Sequence, residues 1–470
     1  MTPSPGRILI LGAGPTGLGA AWRLQELGYH DYQILEQSSE AGGLASSFVD
    51  DCGFTWDVGG HVQFSHYAYY DDVLDLALGD GWLYHQRESW VWMRERFIPY
   101  PFQNNIHRLD PADCARALRG MEEAAVARGG TRAADFRAWI FSTFGEGIAE
   151  LFLLPYNVKV WAYPPELLGT DWMGDRVAVP DLERVKRNIE RGVDDVSWGP
   201  NSLFRFPRRG GTGAIWKAVA SRLPADQIRF DAKVVSVDAA RRMVTLADGE
   251  RLSYETLISA LPLDVFCGMT AGLSSAAVEA SARLLHSTSH IIGIGLRGRQ
   301  PETLKRKCWM YFPEEASPYY RVTVFSNYSP ANVPEGEGFW SLMAEVSESP
   351  MKPVHQETLV GDVVDALRRD RLVAPETEVV SRWYYRAGHG YPTPSRTRDQ
   401  QLSIIEPELI ARGIFSRGRF GAWRYEVSNQ DHTFMQGVEA VDRLLGSGHE
   451  MTLTQPDLVN SGAFLRAKKD

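Results

Sequence analysis

A cluster of glycines and one acid near the start of the chain are the residues whose spacing most plainly implies chemistry. Gly12-Ala13-Gly14-Pro15-Thr16-Gly17 follows the apolar run Arg7–Leu11 and opens the helical pattern Leu18–Leu24. A second apolar run, Tyr32–Leu35, ends at Glu36, nineteen residues after Gly17. Strand, glycine turn, helix, strand and acid in that order form a dinucleotide-binding fingerprint. Gly12 allows the tight turn, Gly14 lets backbone approach a pyrophosphate, and Gly17 lets the helix lie close on the sheet. Pro15 and Thr16 fall in the first helical turn, where free N–H groups face phosphate. Glu36, with Gln37 beside it, can accept from ribose hydroxyls. Further glycine pairs follow, Gly42-Gly43-Leu44 and Gly59-Gly60-His61. Paired glycines let backbone press against a large flat ligand, which suits isoalloxazine better than nicotinamide, so FAD is the expected cofactor. The chain carries no second strand–GxGxxG–helix unit, so a dedicated Rossmann site for NADPH is not expected.

The far end of the chain returns to the same ligand. Ser416–Gly421, containing Gly418 and Arg419, precedes Asn429-Gln430-Asp431-His432 and a helical pattern with Phe434, Val438, Val441 and Leu445 on one face. An Asn/Asp-rich start to such a helix reads as a cap whose positive end could face the flavin. Chain start and chain end would then form one discontinuous unit.

These ends enclose a long middle. Pro111–Arg128, Ala133–Phe144, Gly147–Leu154 and Leu182–Arg191 show helical spacing, while Lys233–Val237, Met243–Ala247, Thr256–Ala260, His290–Leu296, Tyr320–Phe325 and Phe339–Glu345 read as strands. The expected fold is α/β: a Rossmann-like FAD unit with a helical insertion and an antiparallel β-sheet domain. The expected division is FAD unit 1–107, helical unit 108–200, FAD unit again 201–290, β-sheet unit 291–400, and FAD unit 401–470.

Bulk properties exclude several classes. At 470 residues the chain exceeds one ordinary core. Fifty basic against 59 acidic side chains, a net charge of −9, argue against nucleic acid as a partner. Cys52, Cys114, Cys267 and Cys308 lie far apart, so neither a disulfide framework nor a zinc site is expected, and no metal is assigned. No apolar run approaches the roughly 20 residues needed to span a bilayer, and no signal-peptide pattern precedes Arg7. A cytoplasmic location with reduced thiols is the expectation.

Arginines and aromatics carry the remaining chemistry: Arg176, Arg321 and Arg419 with Trp161, Trp309, Tyr311, Tyr328, Tyr391 and Tyr425. Arginine forks match phosphate oxygens pairwise, and aromatic faces suit a nucleobase or sugar. From residue types alone this reaches a flavoprotein with a cleft for an anionic substrate. An amine- or porphyrinogen-oxidase-type enzyme, or a binding protein with a vestigial flavin site, remain alternatives at this point.

The strings GAGPTGLGAA, DVGGHVQFSHY, PYPFQNNI, PYNVKVWA, FRFPRRGGTG, EVSESPMKPV, GHGYPTP and GRFGAWRYEVSNQDHTFMQGVEAV, in order from about residue 7 to 460, resemble the eukaryotic branch of the UDP-galactopyranose mutases. The resemblance implies a glutathione-reductase-type FAD fold and non-redox interconversion of UDP-galactopyranose and UDP-galactofuranose. In that family reduced FAD acts, its N5 bonding covalently to the sugar while UDP departs and returns. By resemblance the His61 loop lies beside that nitrogen, and Arg176 and Arg321 grip the pyrophosphate with Tyr328, Tyr391 and Tyr425. Phe64, Tyr100, Phe102, Gln103, Phe152, Asn157 and Trp161 fall where uridine is held. Trp309 and Tyr311 match a flavin-facing strand, and Asn201 a closing loop. Val234, Arg419, Asn429 and Gln430 match FAD contacts, and His66 and Arg87 match positions tied to direct reduction by NADPH. A related substrate such as a UDP-arabinose, and a homo-oligomer, stay open. One departure is Tyr385-Arg386-Ala387-Gly388, which lacks the acid expected beside GHGYPTP.

Overall fold

Ile8–Leu11 is buried along its whole length, with Ile8 and Ile10 in one apolar cluster and Leu9 and Leu11 in another. That two-residue alternation is what a mid-sheet strand covered on both faces requires. In the computed structural model, which describes residues 6–127, 133–174, 179–196, 202–336, 338–446 and 448–465, this strand is the centre of a five-stranded parallel sheet. The order is Ile414–Ser416, Thr256–Ser259, Ile8–Leu11, Tyr32–Leu35, Ile228–Arg229. Residues from the two ends and the middle of the sequence therefore share one sheet.

The helix Pro15–Glu26 lies against Gln430–Leu444. A Cβ added at Gly437 would stand 2.0 Å from the Thr16 carbonyl oxygen, so only glycine fits that crossing. Beside the parallel sheet runs a smaller one, ordered Arg251–Ser253, Met243–Leu246, Val234–Asp238, Thr270–Ala271.

A seven-stranded sheet forms the second layer: Glu378–Pro392, His286–Arg297, Phe339–Glu348, Arg321–Thr323, Trp309–Tyr311, Ser89–Met93, Arg96–Pro99. Its pairing is antiparallel except where Ser89–Met93 runs parallel to Trp309–Tyr311. Ser89–Pro99 thus hydrogen-bonds into this sheet, although it falls in the stretch given above to the FAD unit. His286–Arg297 likewise begins before the boundary drawn at 291. One face of the sheet packs Ile292, Ile294 and Leu296 against Leu359, Val363 and Leu367 of the helix Gln356–Arg369.

The helical unit comprises Pro111–Ala127, Phe136–Ile148, Leu154–Trp161 and Leu182–Arg191. Asp135 and Asp181 start two of these helices by accepting from the N–H of Ala138 and Arg184. The helix expected over Gly147–Leu154 is present, with a π-helical stretch, Ala149–Leu153, running on into Leu154–Trp161, and the rod bends at Gly145 (φ +73°). Lys159 fixes the last part of that rod to the sheet side: its buried ammonium donates to the carbonyls of Phe312 (2.6 Å), Glu314 (3.0 Å) and Ser317 (2.7 Å). All four cysteines are free thiols. Among the described residues no helix is long and apolar enough to cross a membrane.

Candidate active site

The glycine turn closes as its sequence demands. Gly12 takes φ +101°, and a Cβ on Gly17 would lie 1.9 Å from the Gly12 carbonyl oxygen. Gly14 is the N-cap of the first helix and offers no side-chain acceptor to its N–H groups, with Pro15 entering the first turn. Glu36 is buried, accepting from Ala13 N–H (2.7 Å) and Ser38 N–H (2.8 Å). Its carboxylate thereby ties the turn to the second strand and keeps lone pairs for ribose hydroxyls. Gln37 beside it is exposed. The second glycine pair lies on the first: Gly42 N–H donates to the Ala13 carbonyl (3.0 Å), and a Cβ on Gly14 would sit 3.7 Å from the Gly42 oxygen. Leu44 packs between two apolar clusters, and Val234 on the edge of one of them.

The C-terminal segment completes the same cradle. A Cβ on Gly418 would stand 2.3 Å from the Thr16 hydroxyl, and Gly418 N–H donates to Gln436 (2.7 Å). Asn429 is the N-cap residue of the last long helix, as expected, yet its side chain accepts no capping bond. Gln430 accepts from Gln63 (2.9 Å) and Trp216 (2.8 Å). Arg419 clamps neighbouring backbone, donating to the Gly390 carbonyl (3.0 and 3.2 Å) and to Ser428, with its guanidinium 4.9 Å from the Tyr391 ring.

The second part of the site is built on paired strands. Arg321 and Glu345 stand opposite one another in register, and their side chains form a two-pronged ion pair, Nε to Oε1 at 2.7 Å and Nη2 to Oε2 at 2.8 Å. Glu345 also accepts from the Tyr320 hydroxyl (2.8 Å) and from Gly60 N–H (3.1 Å). Burial opposes the charge on each partner, but each holds the other ionised: Glu345 stays below the usual carboxylate range and Arg321 is held firmly protonated. The loop before His61 is thus tied to the arginine through Glu345. This node was missed from sequence. Glu345 opens the EVSESPMKPV string, and a lone acid inside the apolar run Leu342–Val346 was the available signal.

Aromatic side chains surround the node. Tyr391 meets Tyr320 (ring centroids 6.5 Å), Tyr425 (6.0 Å) and Trp161 (5.9 Å), and Trp161 meets Tyr425 at 4.7 Å. Tyr311 meets Tyr100 and Tyr156, both at 5.3 Å, while Phe152 bridges Tyr156 (5.3 Å) and Phe102 (4.7 Å). The Trp309 indole donates to the Tyr311 hydroxyl (2.6 Å), and Phe204 connects Trp309 to Tyr328. Arg321 acts electrostatically on Tyr156, Tyr328 and Tyr391, whose hydroxyls burial pushes upward. Tyr156, like Glu345 and Tyr320, was not singled out from sequence. Arg87 lies 4.8 Å from the Trp309 ring and 5.5 Å from that of Tyr100. Gln103 is buried next to Phe102, and Asn157 donates to the Leu153 carbonyl (2.8 Å) on the bent rod. His66 is buried, its Nδ1 2.7 Å from Asp431, with the Phe64 ring edge-on at 5.4 Å. Arg176 and Asn201 lie outside the described residues.

Polar atoms beside the Arg321–Glu345 node have no partner. His61 Nδ1 and the Tyr328 and Thr323 hydroxyls are buried without a hydrogen bond, and a Cβ on Gly60 would touch that Thr323 hydroxyl at 2.9 Å. Such groups are rare in a finished interior. Next to a glycine cradle shaped for backbone contact, they fit a large polar ring system such as FAD.

His61 also carries a pH consequence. Burial lowers its imidazole to about 4, with Arg419 and Arg321 adding to the effect against Glu345. Its unfolded counterpart titrates near 6.5. Between these values the unfolded chain binds more protons, so stability should fall as pH drops from about 6.5 to about 4. The expected loss is roughly 1–3 kcal/mol, discounted for the part of the ring that solvent reaches. Denaturant titrations at pH 7 and pH 4.5 on wild type and His61→Asn should show the slope shrinking in the variant; identical slopes would contradict the assignment.

The family model for flavin-containing amine oxidoreductases matches residues 15–445, so fold and cradle define an FAD flavoprotein of that class. A crystal structure of a reduced UDP-galactopyranose mutase shares 50% identity over 97% of this chain and 97% of its own, with a TM-score of 0.94. The chain belongs to the UDP-galactopyranose mutase branch of that flavin family and is accordingly a flavin-dependent mutase, an isomerase. The fold extends further. A structure titled putative protoporphyrinogen oxidase from Exiguobacterium sp. 255-15 matches at 14% identity and TM-score 0.69, covering 94% of this chain and 99% of its own. Putrescine oxidase bound to putrescine matches at 15% and 0.63, covering 94% and 99%.

Proposed function

We propose that this enzyme interconverts UDP-galactopyranose and UDP-galactofuranose, with NADPH as the reductant that readies its flavin. The observation that carries the reading is the Arg321–Glu345–Gly60 node, which sets a cation beside the His61 loop within a wall of tyrosines. An oxidase acting on an amine has no use for a guanidinium there, whereas a diphosphate does: Glu345 takes Nε and Nη2 and leaves Nη1 for a phosphate oxygen. Bound and reduced, FAD supplies a ring nitrogen nucleophilic enough for the anomeric carbon of the sugar.

The chain's own residues do the rest. Arg321 and, on sequence grounds, Arg176 hold the pyrophosphate, so that UDP stays close after its bond to the sugar breaks. Tyr328 and Tyr391, their protons held by burial, donate to the same oxygens, and Tyr425 donates beside them. Phe102, Phe152, Tyr100 and Tyr311 offer faces to uracil and ribose, with Gln103 and Asn157 as polar ends. The Gly59–His61 backbone, tied at Gly60 to Glu345, can respond to the flavin ring and pass that response to Arg321. His66 and Arg87 are proposed to meet NADPH, which has to enter by the same cleft and leave before the sugar binds.

The test is an assay with UDP-galactofuranose, with and without dithionite or NADPH. Conversion to the pyranose only under reduction is the expected outcome. Conversion of UDP-arabinofuranose alone would reassign the sugar. Oxygen consumption with an amine and no isomerisation would overturn the reading.

A further inference from the structure

Between Asn157 and Trp161 of the cleft stands a lysine that turns away from both. Lys159 lies two residues from each on the helix Leu154–Trp161, which places it roughly 160° around the axis from either. It is buried, and no carboxylate pairs with it among the described residues. Its ammonium is directed at main chain instead, donating to the carbonyls of Phe312, Glu314 and Ser317. These three belong to the loop that joins Trp309–Tyr311 to Arg321–Thr323, and the paired residues Tyr311 and Arg321 at its mouth are both cleft residues. Asp370 steadies the same loop, accepting from the hydroxyls of Ser317 (2.6 Å) and Tyr319 (2.5 Å).

The backbone around Lys159 is tied as well. The Ser347 hydroxyl donates to the Lys159 carbonyl, and the Ser349 hydroxyl to that of Ala162. Ser347 follows Glu345 by two residues on Phe339–Glu348. One lysine therefore joins the helix that carries Asn157 and Trp161 to both strands of the Arg321–Glu345 pair. Burial works against its charge and draws the amine down to about 7, with Lys352 adding to the effect and Asp370 and Glu314 opposing it. An apolar side chain of similar length would fill the space without that penalty. What the ammonium provides is geometry, because three carbonyls at hydrogen-bond distance set where the loop stands relative to the helix. A nucleoside diphosphate needs such a setting. Its uridine rests on the helical unit and its phosphates on Arg321, and two half-sites reinforce one another only where their spacing matches the ligand that links them.

We propose, on the UDP-sugar reading of the cleft, that Lys159 is a positioning residue that sets the distance between the uridine wall and the diphosphate wall. The experiment titrates flavin-loaded, dithionite-reduced enzyme with UDP by calorimetry, and ranks uridine and inorganic pyrophosphate by competition against UDP. In Lys159→Met, UDP should bind at least about tenfold more weakly, while uridine and pyrophosphate each stay within about twofold of wild type. The fall in kcat/KM for UDP-galactofuranose should come mainly through KM. Unchanged UDP binding overturns the proposal, and so does an equal loss for UDP and both fragments, which is the mark of a general support. Should the methionine variant lose its flavin, Ser347→Ala combined with Ser349→Ala cuts the tie from the strand side and leaves the ammonium in place, with the same split expected. Wild-type enzyme that binds no UDP would remove the UDP-sugar reading and the proposal with it. Wild-type binding without the split in either variant removes the proposal alone.

Discussion

Arg321→Ala should lose catalysis and stability together while keeping its flavin. Removing the guanidinium takes one or two charge-assisted bonds from the diphosphate, each worth about 1.5–3 kcal/mol. That corresponds to a fall in kcat/KM of roughly 10- to 10⁴-fold. The same change strands Glu345, which is 3% exposed and pairs with no other cation in the node. Breaking a buried ion pair from one side costs about 3–5 kcal/mol. Placing Arg321→Ala in a Glu345→Gln background should recover much of that stability and none of the turnover. Denaturant midpoints and initial rates on the four proteins of this cycle give the answer. Wild-type rates in Arg321→Ala would remove the arginine from the mechanism. An additive cycle in stability would mean the two side chains do not act as a pair.

Gly437→Val should expel the cofactor without touching it. The position faces the Thr16 carbonyl at 2.0 Å and the Ala20 amide at 2.8 Å from where a Cβ would be, and both of these are backbone. The helix Gln430–Leu444 must therefore move away from the first, and Thr16, which packs on Gly418, must move with it. Overpacking of this kind typically costs 1–3 kcal/mol, and here it opens the pyrophosphate turn as well. The purified variant is expected to be largely colourless, with a melting temperature several degrees lower and little recovery on adding FAD. Full flavin occupancy would show that the crossing can shift without disturbing the turn.

The two halves of the site were unequally legible in sequence. The dinucleotide cradle is local: its turn, helix and acid lie within thirty residues, and each glycine answers to a backbone contact that sequence order alone specifies. The resemblance supplied most of the cleft, and Tyr391, Tyr425 and Trp161 do meet. What spacing could not give was register. Glu345 faces Arg321 only because Phe339–Glu348 and Arg321–Thr323 pair as they do, and nothing local fixes that alignment. Ser89–Pro99 joined the far sheet for the same reason, through a parallel pairing with a strand some 220 residues on. Lys159 and Phe312 likewise lie 153 residues apart. Asn429 shows the opposite limit: the helix start was placed correctly, but its side chain does not cap.

The parallel sheet interleaves the earliest and latest parts of the chain, which fixes the order of events during synthesis. While the ribosome is still making the middle units, Ile8–Leu11 has no Ile414–Ser416 edge to complete its sheet, and the first helix has no Gln430–Leu444 to lie on. The nascent N-terminal segment therefore keeps its nucleotide pocket half walled until Ile414–Ser416 and Gln430–Leu444 have emerged. A chain cut before Gln430 lacks the helix that lies on the first one and should be purified as apoprotein however much FAD the cell provides.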